Sequence, residues 1–267
     1  MDVLYKILNI LQYNPKEPMI FSSGIFLALF VIFTLLYMAL RKKLTARLLF
    51  VTLFSYYFYY KSSGLYFFLL GVVTVSDYYI ANAIARRKGN KKAQKWLIAL
   101  SMVIDLGLLS YFKYTNFLAG MISQAIGNNF QPWDIFLPVG ISFFTFQSMS
   151  YTIDVYRGTL KPLPSLLDYA FYVSFFPQLV AGPIVRASDF VPQIRKPPCV
   201  TPDMFARGVY FVLIGLFKKA VISDYISLNF VDRIFDNPTL FSGGEILLGL
   251  YGYSIQIYCD FSGYSDM

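Results

Sequence analysis

Residues 19–40 read MIFSSGIFLALFVIFTLLYMAL, about 22 residues without a charge. A helix needs roughly 20 apolar residues to cross the hydrocarbon core of a bilayer. Inside that core, only helices and closed barrels satisfy every backbone polar group. This one run therefore narrows the chain to a membrane architecture, and others follow at residues 44–60, 64–85, 96–119 and 135–153. Charged residues make up 14% of the sequence, against about 25% in soluble domains, which is too little to cover a water-facing surface. Residues 1–18 contain Asp2, Lys6, Lys16 and Glu17 and offer no small-residue cleavage site after an apolar run. The 19–40 stretch is therefore read as a first spanning helix and not as a signal peptide. The expected class is an all-α integral membrane protein, a multi-helix bundle with re-entrant segments. Residues 1–267 are expected to form a single membrane domain with about seven spanning helices and a re-entrant segment near 166–184.

Charge distribution sets the expected orientation. The net charge of +8 is concentrated in RKKLTAR (41–47) and RRKGNKKAQK (86–95), which lie two spans apart and so on one side. The turn at Lys61 and the loop 120–132 carry one positive charge between them. The positive-inside rule puts the two basic loops in the cytoplasm and the amino terminus outside. In so apolar a chain the basic excess belongs to such loops, and no nucleic-acid partner is expected. With no histidine in the sequence, a Ser-His-Asp triad, a Cys-His pair and a histidine metal site are all excluded. Cys199 and Cys259 form no CxxC pattern, and no GxxxxGK[ST] stretch is present. No metal and no bound cofactor is expected.

One stretch breaks the apolar pattern. FFPQLVAGPIVR (175–186) places Pro177, Gln178, Gly182 and Pro183 where a spanning helix would carry leucines. Proline donates no backbone hydrogen bond and biases the preceding residue away from the helical region. A proline-kinked span and a re-entrant loop both fit these residues. If the segment crossed, Arg186, Arg195, Lys196 and Arg207 would fall outside, and the charge rule favours the re-entrant alternative. Irregular backbone at membrane depth persists only where protein or a polar cavity surrounds it.

Ionisable groups inside apolar runs are the remaining candidates for function. Asp77 and Asp105 sit in no richer motif and are read as structural, each paired with a neighbouring Lys, Tyr or amide. Lys218 and Lys219, in the middle of VYFVLIGLFKKAVISDYISLNF, are expected to snorkel or to mark an interfacial helix. DFSGYSD (260–266) packs Asp260, Ser262, Tyr264 and Asp266 into seven residues, too polar for lipid contact and read as a lining of a substrate path. SYYFYYKSSGLYFF reads as an aromatic belt at headgroup level. These residues leave two classes open: a membrane-embedded enzyme, or a transporter with a broken-helix site.

Four blocks resemble the membrane-bound O-acyltransferase family, and within it the bacterial branch of alginate O-acetyltransferase type. They are LPVGISFFTFQSMSYTIDVYRG, DYAFYVSFFPQLVAGPIVRASDFVPQI, GLFKKAVISD and YSIQIYCDFSGYSDM, in that order over residues 137–267. The resemblance implies transfer of an acyl group, here acetyl, from a cytoplasmic thioester such as acetyl-CoA toward a cell-envelope polysaccharide. It implies a multi-pass protein of the bacterial cytoplasmic membrane and an extracytoplasmic acyltransferase partner. D-alanyl transfer to teichoic acid belongs to a sister branch. Under the resemblance Pro177, Gln178, Gly182 and Pro183 form re-entrant backbone near the donor side. Arg186 then suits the donor phosphates, its alternative being a plain cytoplasmic anchor.

The family's catalytic histidine is expected beyond Met267, so no catalytic residue is assigned here and the chain is expected to be the amino-terminal part of a longer enzyme. A general base typically contributes 10²–10⁴-fold, and nothing in these residues replaces it. The purified polypeptide, incubated with radiolabelled acetyl-CoA, is expected to show no turnover; measurable transfer would overturn the assignment of the base.

Overall fold

The computed structural model describes residues 11–15, 18–21, 23–179, 182 and 184–267. Their regular secondary structure is helical, with no strand among the described residues. The chain divides into two compact units, residues 1–180 with 184–197, and residues 181–183 with 198–267.

The first unit begins with α1 (Gly24–Ala39), whose amino end is capped by the Ser23 hydroxyl accepting from Phe26 N at 3.2 Å. Next come α2 (Leu44–Ser63) and α3 (Phe67–Arg86). Asn90 caps α4 (Lys91–Leu109) through Ala93 N at 3.0 Å. A π-helical turn, Ser110–Tyr114, leads from α4 into α5 (Thr115–Ala125). After a non-helical connection come α6 (Ile141–Arg157) and α7 (Leu166–Ser174). The one-turn helix Phe176–Leu179 precedes α8 (Ala187–Ile194). Helix α3 packs against α4, α6 and α7, while α2 packs against α7. Leu44–Arg86, 43 residues, and Lys91–Ala125, 35 residues, are long and apolar enough to cross a membrane.

One local feature departs from the sequence reading. The helix expected from residue 135 starts at Ile141, because Pro138 lacks an N–H and biases Leu137 toward extended backbone. Within the stretch expected as an aromatic belt, Phe58, Tyr59, Lys61, Ser62 and Ser63 are buried, while Tyr56, Tyr57, Tyr60 and Tyr66 are half-buried. Ser62 Oγ donates to Met19 O at 2.9 Å, Ser63 Oγ accepts from Val139 N at 3.0 Å, and Lys61 Nζ donates to Gln12 O. Gly64 turns the chain here at φ 61°, and an added Cβ would lie 2.8 Å from the Tyr13 ring. The turn is held by buried contacts.

The break after α7 is packed in the same way. Helix α7 has 9 residues, about 14 Å of rise, and ends where Phe175 turns to ψ 108°. The amide of Phe176 is taken by Ser55 Oγ at 3.2 Å. The Phe176 ring meets Phe26, Phe33, Phe54 and Phe58 at centroid distances of 6.1, 5.3, 5.2 and 5.8 Å. Arg47 of α2 closes the far end, donating to the carbonyls of Ile194 at 3.0 Å and Lys196 at 2.9 Å. A cation fits the free carbonyls at a helix C-terminus.

In the second unit Thr201 caps α9 (Pro202–Leu216), with proline at its first position. The helical path continues to Asp236, interrupted by π-helical stretches at Phe217–Ser223 and Ser227–Val231. Helix α10 (Gly243–Asp266) starts with a capping box, Glu245 N donating to Ser242 Oγ and Ser242 N to Glu245 Oε2. It packs against α9 and both π stretches.

Replacing Phe176 by Ala removes the ring on which the broken segment sits and is expected to cost about 3–5 kcal/mol. Thermal unfolding in detergent micelles would show this, with Phe176→Leu intermediate; an unchanged transition would mean that the ring carries no packing energy.

Candidate functional site

The most polar part of the second unit forms where α9 crosses α10. Gly215 and Gly263 meet there without side chains: a Cβ on Gly215 would lie 2.6 Å from Gly263 O, and one on Gly263 2.8 Å from Gly215 O. That approach brings the π stretch 217–223 onto the last two turns of α10. On α10, Ser262 and Asp266 share one ridge and Asp260 and Tyr264 the next, each pair four residues apart. Gly263 lies between the two ridges. Lys218 Nζ reaches Asp266 Oδ2 at 2.6 Å and Ser262 Oγ at 2.9 Å. Lys219 Nζ reaches Asp260 Oδ1 at 2.5 Å and Asp224 Oδ1 at 2.9 Å, and stands 5.4 Å from the Tyr264 ring centroid. The attraction to that ring face is a cation–π contact.

Consecutive residues of an α-helix point about 100° apart, so both lysines would not ordinarily serve one partner helix. The wider π turn, a feature frequent at functional sites, lets the neighbours engage adjacent ridges. Two ammonium groups thus face three carboxylates. Lys218 and Lys219 reach protein carboxylates, so that Asp260 and Asp266 each have a cationic partner. The signal was present: two lysines in one apolar run and a run of carboxylates in the next must meet or remain unpaired in a poorly solvated site. Chemically the cluster is a fixed array of opposite charges beside a phenol and a hydroxyl. Its lysines are held as ion pairs.

The other predicted residues belong elsewhere. Pro177 is exposed and helps to line a cavity of about 360 Å³ with Phe33, Arg47, Phe175, Phe176 and Lys196. Gln178 Oε1 accepts from Gln147 Nε2 at 3.3 Å, and the same nitrogen donates to Tyr172 O at 2.8 Å. Tyr172 OH in turn donates to Val185 O at 3.2 Å, so the backbone on either side of residues 180–183 is held to α6 and α7. Gly182 is buried, and Pro183 lies outside the described residues. Arg186 is exposed, in extended backbone at the head of α8. Asp77 and Asp105 are fully buried, and Asp77 is bonded to the hydroxyls of Ser101 and Ser148 instead of to a cation or an amide.

Residues 159–267 match the sequence model of the membrane-bound O-acyltransferase family. The chain is 40% identical over 257 residues to a probable alginate O-acetylase of Pseudomonas aeruginosa, covering 93% of this chain and 48% of that protein. It is 35% identical over 245 residues to a peptidoglycan O-acetyltransferase of Helicobacter pylori, covering 82% and 46%. Likeness to a teichoic acid D-alanyltransferase of Bacillus subtilis is 30% over 138 residues, 50% of this chain and 34% of that protein. The chain spans about half the length of the curated relatives that match nearly all of it.

Because the lysine cluster depends on the glycine crossing, Gly215→Val should force α9 and α10 apart. Overpacking of this kind costs about 1–3 kcal/mol, and limited proteolysis of residues 198–267 should quicken accordingly. Unaltered cleavage would show that the crossing tolerates a side chain.

Proposed function

We propose that this chain belongs to the membrane-bound O-acyltransferase family, whose sequence model residues 159–267 match, and that its protein acetylates a cell-envelope polysaccharide. The donor is a cytoplasmic acyl thioester, acetyl-CoA, and the acceptor is a sugar hydroxyl. The observation that carries this reading is the extent of the likeness. Relatives named as alginate O-acetylases and a peptidoglycan O-acetyltransferase match most of the chain, whereas teichoic acid D-alanyltransferases match about half of it. Acetyl transfer is therefore preferred to D-alanyl transfer.

The parts divide as follows. The segment 166–184 is re-entrant, its nine-residue helix being too short to span, and its broken backbone walls the donor side. Arg186, exposed and held in extended backbone, binds the donor phosphates; its planar fork suits two phosphate oxygens at once. Asp260, Ser262, Tyr264 and Asp266, set by Lys218 and Lys219, line the path of the acyl group with fixed charge. Such preorganised groups stabilise developing charge without reorganising when the reaction occurs. The general base that deprotonates the acceptor hydroxyl is a histidine, and since this sequence contains none, it lies outside these residues. The protein is multi-pass in the bacterial cytoplasmic membrane with its amino terminus outside, and hands acetyl to an extracytoplasmic acyltransferase.

The test uses the complete reading frame in proteoliposomes with acetyl-CoA inside and polysaccharide outside. Acetylated product is expected. Arg186→Gln should raise KM for acetyl-CoA by about tenfold, with kcat nearly unchanged, as fits loss of a binding contact. No product on any envelope glycan would overturn the activity; an unchanged KM would remove Arg186 from the donor site while leaving the activity standing.

A further inference from the structure

Asp77 on α3 and Asp105 on α4 are both fully buried in the first unit. Both Asp77 oxygens accept from hydroxyls: Ser101 Oγ reaches Oδ1 at 2.6 Å, and Ser148 Oγ bonds Oδ2. Behind Ser148 stands the Tyr169 hydroxyl at 2.5 Å, so the network joins α3, α4, α6 and α7. Asp105 is the anomaly. Neither of its oxygens meets a protein donor, and it stands one turn from Ser101 on the same face of α4, which brings its carboxyl beside that of Asp77.

The titratable groups around the pair are phenols. Tyr169 faces it from α7. Tyr151 of α6, tilted against Tyr169 with ring centroids 4.6 Å apart, accepts at its own hydroxyl from Leu163 N at 2.8 Å, and Tyr78 of α3 donates to Pro164 O at 3.4 Å. Among the described residues no Lys or Arg forms an ion pair with either carboxylate. Two carboxyl groups in contact, dry and without a counter-cation, do not both stay ionised. An acceptor with no donor, aimed at a second acceptor, lacks only a hydrogen between them.

We propose that Asp77 and Asp105 form a proton-binding site in which the pair holds one proton between its carboxyl groups. The proton comes from water as the helices close. Asp105 then donates to Asp77 through one of its two orphaned oxygens, and the remaining single negative charge is spread over the Ser101 and Ser148 hydroxyls. Loading this proton locks α3, α4, α6 and α7 together. The inference does not depend on the acyl-transfer reading.

The sign of the pH effect follows from the count of protons. Above the ordinary aspartate range the unfolded chain holds none on these residues and the folded chain holds one, so stability falls as pH rises. The expected slope is about tenfold in the folding constant per pH unit, until the folded pair itself releases the proton. Asp105→Asn, whose amide donates to Asp77 without needing a proton, should abolish that slope. Infrared difference spectra of the unaltered protein in nanodiscs at neutral pH should show a carboxylic acid C=O band, moved by ¹³C-aspartate and by D₂O. No such band overturns the proposal without recourse to any variant. So would an equal pH slope in Asp105→Asn, or stability that follows sodium concentration at fixed pH, which would assign the site to a metal cation.

Discussion

Whether a chain this apolar can stop a helix in its interior depends on where the freed backbone groups go. At the end of α7 the answer is a single hydroxyl: the Phe176 amide finds Ser55 Oγ at 3.2 Å. The carbonyls at the far end of α8 find Arg47. An unpaired backbone polar group in a medium without water costs several kcal/mol, so these contacts from α2 are conditions for the broken segment to exist. The rings of Phe26, Phe33, Phe54 and Phe58 then fix Phe176 in place, and the cavity lined by Pro177 lies beside them.

The same rule is met differently in each unit. Around Asp77 it is met by neutral hydroxyls from three other helices, and around Lys218 and Lys219 by full opposite charges. The difference follows from exposure. The lysines remain 27% and 20% exposed at the side chain, so partial solvation offsets the cost of charge there. Asp77 and Asp105 are fully shielded, and a lone ion pair would have been costly. Glycines make the second arrangement possible, since Gly215 and Gly263 let the helices approach until the lysine stems reach the next helix.

Helical class, membrane character and the site of the break were all legible in the chain: uncharged runs near 20 residues, 14% charge, and two prolines in one apolar segment. So was the polar concentration in DFSGYSD. Partnerships were not. Lys218 and Asp266 are 48 residues apart, and Asp77 and Ser148 are 71 apart. No periodicity within a helix says which face of a distant helix it will meet. The burial of Tyr59 in the stretch around KSSG was not legible for the same reason. Tyrosines beside a lysine have one pattern whether they face headgroups or, as Tyr59 does, a neighbouring helix.

By itself the sequence determined the solvent and the secondary structure, because both follow from transfer free energy and backbone hydrogen bonding summed over consecutive residues. Tertiary structure alone decided which carboxylate meets a cation, which meets a hydroxyl and which is left facing another carboxylate. Those outcomes depend on crossing points such as Gly215 against Gly263, and on the extra residue in a π turn. Such features act through space over a few ångströms and leave no regular spacing along the chain.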